Sequence, residues 1–168
     1  MNVVHYMPEI LTDTRREESI NDCQPLLLTG QELSERFGGK NYPGKQTCSD
    51  LHQDSRYKDI FKIMMFNINK NLKQDLSIHK AWINWTDGDK QYECWHTHTS
   101  SGAKLSAVYY MTPHNCGTKF QDQFVQTELN SLLVFPSHLL HTAPVSDNRY
   151  SRYTCLLYTS PSPRDLGK

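Results

Sequence analysis

The chain has 168 residues, and its 18 lysines and arginines balance 18 aspartates and glutamates to a formal net charge of zero. That length suits one globular domain able to bury a core without disulfide or metal staples. The even charge removes the usual argument for a nucleic-acid or anionic-membrane partner, and no apolar run approaches the ~18 residues a membrane helix needs.

The opening stretch, MNVVHYMPEILTDTRREES, has no basic segment followed by an apolar one, so no secretory signal is expected. The five cysteines (23, 48, 94, 116 and 155) form no CxxC pair. They read as reduced thiols of a cytoplasmic protein, bacterial or inside a phage host. Residues 1–50 read as irregular, with short apolar runs broken by turn residues. One short helix is expected there, from Gly30 to Phe37 with Thr29 as its N-cap. The clearest helix runs from Ser55 to Leu72. Tyr57, Ile60, Phe61, Met64, Met65, Ile68 and Leu72 recur at three- and four-residue steps, which makes a single apolar stripe for the core. Asp54 or Ser55 is the expected cap.

After residue 75 the hydrophobic period changes to two. LSIHKAWINW (76–85) alternates, and KLSAVYYMT (104–112) is rich in strand formers. Residues 118–125 form a weaker run, SLLVF (131–135) is stopped by Pro136, and a further strand begins at 150–154. Turn residues separate all of these. One helix followed by many short strands predicts a helix packed on an antiparallel sandwich or barrel.

The last fourteen residues, CLLYTSPSPRDLGK, call for separate treatment. Cys155 to Asp165 resembles, letter for letter, the translation of a sequencing-library adapter. Residues 155–168 are therefore set aside as a non-native tail, and the domain is taken as 1–154. It divides into a helical and irregular part (1–74) and a β core (75–154). CLLY is nonetheless apolar and strand-prone, so it could occupy the place of a native strand.

Chemistry concentrates in the histidines. His96 and His98 stand at i and i+2, which puts both side chains on one face of an extended backbone. His138 and His141 follow the strand SLLVF. A third imidazole arriving from a neighbouring strand would complete one face of a metal site, and neutral imidazole suits Fe, Zn, Cu and Ni. His5, His52, His79 and His114 read as structural or surface residues. Trp82 and Asn84 share a strand face, which makes Asn84 a candidate polar lining group.

The segments around these histidines carry a resemblance. WHTHTSSGAKLSAVYYM, then NSLLVFPSHLLHTAP, then RYSRYT resemble the Fe(II)/2-oxoglutarate-dependent oxygenases, and within them a small branch of phage and bacterial proteins. The likeness spans about residues 80–154, with a weaker echo in YPGKQTCSDLH (42–52). It implies a double-stranded β-helix (jelly-roll) barrel, mainly β with a flanking helix, which could lack its native last strand. It implies Fe(II) as the metal, 2-oxoglutarate as cosubstrate, and hydroxylation of an unknown substrate with release of succinate and CO2. His96 falls on the first metal ligand and His141 on the distal one, with His138 ranked below it. Arg152, or alternatively Arg149, falls on the arginine for the cosubstrate's distal carboxylate, whose two oxygens a guanidinium fork can bind together. Tyr110 matches a tyrosine that bonds the same carboxylate; Tyr109, its neighbour, must face the other way.

The sequence departs from the family at His98, which stands where most relatives carry an aspartate. Three neutral ligands leave the metal charge less compensated and shift preference toward Zn, Cu or Ni. Either an all-histidine iron site is normal for the branch, or a carboxylate comes from elsewhere (Glu93 or Asp122), or the member is inactive or not an iron enzyme. Two other classes remain. A cupin-type metal enzyme would not use 2-oxoglutarate, but its first motif wants a glutamate where Gly102 and Ala103 stand. A non-catalytic β-barrel binding module would carry a relic site. An arginine aimed into the metal pocket separates the first expectation from the cupin. The substrate, the oligomeric state and the choice between Arg149 and Arg152 stay open at this level.

Overall fold

The computed structural model describes residues 4–39, 42–87, 94–99, 102–114, 116–144 and 150–162. The described residues form a seven-stranded sheet, a three-stranded sheet and flanking helices. In chain order come β1 (His5–Met7), helix α1 (Asp13–Cys23), β2 (Leu28–Thr29), α2 (Gly30–Phe37), β3 (Lys45–Gln46) and α3 (Lys58–Leu72). There follow β4 (Leu76–Thr86), β5 (Leu105–Tyr110), β6 (Gly117–Phe120), β7 (Phe124–Gln126), β8 (Ser131–Pro136), β9 (His141–Thr142) and β10 (Arg152–Pro161). The large sheet has the order β1-β8-β5-β10-β4-β3-β2 and the small one β7-β6-β9. Every strand pair in both is antiparallel.

Strand parity splits the interior of the large sheet into two halves. On one face Ala81, Ile83, Ala107, Tyr109, Leu132, Val134, Cys155 and Leu157 join a core with the α3 stripe of Ile60, Phe61, Met64 and Ile68. On the other, Val108, Tyr110, Leu133 and Phe135 pack against the small sheet through Phe120. The Phe120 and Phe135 rings meet edge to face, 5.2 Å apart. Tyr109 and Tyr110 therefore do face opposite ways, as the pleat demands. Trp82, Asn84 and Thr86 follow the second face too, where they border a cavity.

Several elements match their sequence signals. α2 starts at Thr29, whose hydroxyl accepts from the Glu32 amide while the Glu32 carboxylate accepts from the Thr29 amide, a full capping box. The α3 stripe is buried where the periodicity placed it. Its start differs. The N-cap is Tyr57, with no side-chain cap bond, because Asp54 is committed to the backbone amide and guanidinium of Arg56. The irregular reading of residues 1–50 is corrected by α1, which has no apolar stripe to announce it. It is capped by Thr12, whose hydroxyl accepts from the Arg15 amide, and Arg15 pairs its guanidinium with Asp59 at the start of α3. Residues 118–125 are two strands, not one, folded back at Gln121–Gln123.

The tail segment has a defined place. Residues 155–161 continue β10 between β4 and β5, with Cys155 opposite Tyr109 and Ile83 and Leu157 opposite Ala107 and Ala81. Its alternation of apolar residues delivers Cys155 and Leu157 to the helix-covered core and Leu156 and Tyr158 to the other face. No described helix is long and apolar enough to cross a membrane, and all five thiols are free.

Leu157 is fully buried in the middle of the sheet. Leu157→Ala is expected to lower the unfolding free energy by about 2–5 kcal/mol, read from the urea midpoint at constant m-value.

Candidate metal and anion site

The candidate site is built where the HxH segment crosses the small sheet. His96 and His141 form an antiparallel bridge. The amide of each donates to the carbonyl of the other, both at 3.0 Å. Two residues on, the His98 amide donates to the Ser137 carbonyl at 2.9 Å. The segment is thus stitched along the chain from Ser137 to His141, and three side chains meet. Their ring centroids are 4.4 Å apart for His96 and His141, 4.5 Å for His98 and His141, and 5.0 Å for His96 and His98. Ligand-capable nitrogens of the three all lie within 4.8 Å of one another.

Each ring is oriented through Nδ1. The His96 Nδ1 lies 2.7 Å from the Cys94 carbonyl and the His141 Nδ1 lies 2.8 Å from the Leu139 carbonyl. A carbonyl only accepts, so Nδ1 carries a proton in both rings, and in the neutral tautomer this leaves the lone pair on Nε2. The His98 Nδ1 lies 2.7 Å from the Ser106 hydroxyl, which lies 2.8 Å from that of Ser137. Backbone-anchored acceptors behind metal-binding imidazoles fix tautomer and ring direction.

His98 and His141 are buried, while His96 stands nearer solvent. Burial, with the neighbouring histidines adding to it, lowers the His98 pKa to about 3. Burial also lowers that of His141 to about 4, opposed in part by the hydrogen bond to Leu139. At neutral pH both are uncharged donors. A divalent ion about 2.1 Å from each nitrogen needs them roughly 3–4 Å apart, so small side-chain rotations bring this donor set onto one ion. The donors suit Fe, Zn, Cu or Ni.

The same three histidines line a cavity of about 280 Å³. Arg152 lines it too. This arginine is 9% exposed, and its guanidinium carbon lies 6.0 Å from the centroid of the Tyr110 ring. Burial lowers its pKa; the phenols of Tyr110 and Tyr42 and the Cys116 thiol oppose that shift. Tyr110 itself sits behind the wall, its hydroxyl 2.7 Å from that of Thr118, which does line the cavity. Asn84 lines the cavity and accepts from the Trp82 indole at 3.0 Å.

Among the described residues no carboxylate joins the three histidines. Asp122 is exposed in the turn between β6 and β7, and Glu93 lies outside the described residues, as does Arg149. His138 is exposed, His114 stacks on Tyr150 at 4.0 Å, and His52 meets the edge of Phe61.

Sequence reasoning missed several wall residues. Tyr158, whose ring lies 4.3 Å from that of His98, belongs to the tail that was set aside. Ser106 and Ser137 carried no motif. Tyr42 reaches the wall because Gly30 lets its backbone pass; a β-carbon at Gly30 would collide with the Tyr42 backbone. The signal available was the weak likeness around YPGK.

No family model matches the sequence, and no curated protein does. Solved structures match in shape. The non-haem α-ketoglutarate-dependent epimerase SnoN from nogalamycin biosynthesis superposes with a TM-score of 0.72 at 11% identity, over 96% of this chain and 78% of that one. HygX from Streptomyces hygroscopicus, solved with nickel and 2-oxoglutarate, gives 0.66 at 8% identity over 96% and 84%. A Pseudomonas putida prolyl-4-hydroxylase gives 0.65 at 14% identity over 96% and 94%. This chain has the jelly-roll fold of those enzymes.

Two outcomes follow from the geometry. Ser106→Ala removes the hydroxyl that orients the His98 ring and is expected to weaken Zn(II) or Co(II) binding by about 10–100-fold, measured by competition with a chromophoric chelator. In the metal-free protein, His98 and His141 take up protons less readily folded than unfolded, where the pKa is about 6.5. Stability therefore falls as pH drops from about 6.5 toward 4, by on the order of 1.4 kcal/mol per pH unit per ring. Urea midpoints across that range check the slope.

Proposed function

We propose that this chain is a non-haem iron oxygenase that uses 2-oxoglutarate as cosubstrate, with His96, His98 and His141 holding Fe(II) and Arg152 receiving the distal carboxylate. The observation that carries this reading is the convergence of three imidazoles and a buried guanidinium on one cavity. SnoN is α-ketoglutarate-dependent, and HygX was solved with nickel and 2-oxoglutarate bound. Arg152 in the metal pocket favours this reading over a cupin-type enzyme.

When bound, iron supplies O2 activation coupled to oxidative decarboxylation of 2-oxoglutarate to succinate and CO2, with hydroxylation of a substrate. The protein's own residues do the positioning. His98 and His141 stay neutral at physiological pH and offer lone pairs without a competing proton. Arg152 offers parallel N–H donors to both oxygens of a carboxylate, in surroundings where burial strengthens the attraction. The Tyr110 ring beneath it, held by Thr118, limits where the guanidinium can swing. Val108 and Leu156 add apolar surface to the cavity wall. Asn84 and Trp82 form a polar and aromatic wall that a substrate would meet.

The test is metal content with succinate release. Protein reconstituted anaerobically with Fe(II) is expected to bind iron and to form succinate from 2-oxoglutarate and O2. His141→Ala is expected to lose both. Arg152→Gln is expected to keep the metal and to need roughly 10–100-fold more 2-oxoglutarate, the worth of a charged hydrogen-bond pair. Iron bound without succinate favours the cupin-type enzyme, and no metal at all favours a binding barrel.

A further inference from the structure

The outer wall of the cavity carries a pair of carboxamides. Gln46 on β3 stands opposite Asn84 on β4, and Asn84 stands opposite Thr154 on β10. Residues opposite one another in antiparallel strands share a face, with β-carbons about 4.5–5.5 Å apart. All three line the cavity. They form a polar rung across three strands, running from Thr154, two residues from Arg152, outward to Gln46 beside the edge strand β2.

The backbone holds Gln46 from both sides. Before it, Lys45 pairs with Trp85. After it, the Thr47 amide donates to the Ile83 carbonyl and the Ile83 amide to the Thr47 hydroxyl, both at 3.0 Å. Gly44 lets the strand lie this close, since a β-carbon there would stand 2.0 Å from the Trp85 carbonyl oxygen. Of the two residues of β3, Lys45 sets its ammonium over the Trp85 ring and Gln46 borders the cavity.

The two amides have donors and an acceptor to spare. The Trp82 indole can only donate, so the Asn84 atom facing it at 3.0 Å is the carbonyl oxygen. Both hydrogens of the Asn84 amide nitrogen remain. Gln46 makes no side-chain hydrogen bond among the described residues, so its N–H groups and its carbonyl are all open. Side by side, the pair offers N–H groups and a C=O. Their complement is a carbonyl oxygen and an N–H held in one plane, which is an amide. A ketone or ester brings acceptors only and leaves the Gln46 carbonyl unpaired. The Trp82 ring, its own N–H already used by Asn84, supplies a flat apolar face beside them.

We propose that the substrate carries a planar amide, as in a lactam ring or a carboxamide, and that Gln46 and Asn84 read it against Trp82, with Gln46 determining the specificity. The substrate role rests on the oxygenase reading; the binding rests on the wall alone.

The probe is 2-pyridone, a flat lactam, with N-methyl-2-pyridone as the partner that lacks the N–H. Each is titrated onto the full chain loaded with Zn(II) and 2-oxoglutarate, and onto the metal-free chain, while the line broadening of the probe's own NMR signals is followed. The wild type is expected to bind 2-pyridone about tenfold tighter than the N-methyl compound, the worth of one hydrogen bond. Gln46→Leu is expected to abolish the preference, and Gln46→Glu, which keeps an acceptor, to retain it. Equal affinities in the wild type overturn the inference even if neither variant folds. A preference that survives Gln46→Leu, or one seen only with Zn(II) bound, places the lactam on the metal and overturns the role of Gln46. Phenol binding as tightly as 2-pyridone assigns the wall to hydroxyl groups and overturns the amide class. A chain that binds neither Zn(II) nor 2-oxoglutarate removes the oxygenase reading and with it the substrate role, while the metal-free titration still decides the amide site.

Discussion

The site depends on one short backbone pairing. His96 and His141 exchange two amide-to-carbonyl hydrogen bonds at 3.0 Å, which holds two segments 45 residues apart in sequence at the separation of a hydrogen-bonded strand pair, about 5.5 Å between Cα atoms. With that pairing made, the i and i+2 relation brings His98 to the same side as His96. No long side chain has to search for its partner. Rotamer freedom is cut further by the hydrogen-bond partner behind each Nδ1, so the entropy of assembling the donor set is lost on folding, before any ion arrives.

The second constraint is the pleat. β5 and β8 are buried on both faces, and in the large sheet the alternation of side chains assigns one set to the helix-covered core and the next to the cavity. In β10 the division falls residue by residue: Arg152, Thr154, Leu156 and Tyr158 face the cavity, while Cys155 and Leu157 face the core. A one-residue slip would exchange the two sets and turn the guanidinium to the helix-covered side, where Tyr153 now meets Gln24. The stability of the sheet and the chemistry of the cavity are therefore held by the same register, and the antiparallel neighbours on both sides of β10 fix it.

Burial then does two things at once. It strips water from His98, His141 and Arg152. For the imidazoles this favours the neutral form that binds metal. For the arginine it lowers the pKa from a starting value far above neutrality, which leaves a cation facing a mostly apolar wall. Uncharged lone pairs at one place and a guanidinium at another give the two ends of the cavity different chemistry.

Much of this was legible in the residues themselves. The α3 stripe, the capping box at Thr29, the change of period after residue 75 and the HxH pair are local patterns, and local patterns survive folding because they reflect backbone geometry and nearest neighbours. α1 was not legible, since it has no apolar stripe and its partners lie far along the chain: Arg15 bonds to Asp59 across 44 residues, and the Ser19 carbonyl accepts from the Tyr57 hydroxyl. Nor were Ser106, Ser137 and Tyr158, which acquire meaning only as neighbours of His98. By itself the sequence determined which residue types could hold a cation and an anion, and which strands would alternate. Only the tertiary structure decided that His96, His98, His141 and Arg152 share a cavity, because strand pairing between distant segments is settled by the register of the whole sheet and not by any one stretch of chain.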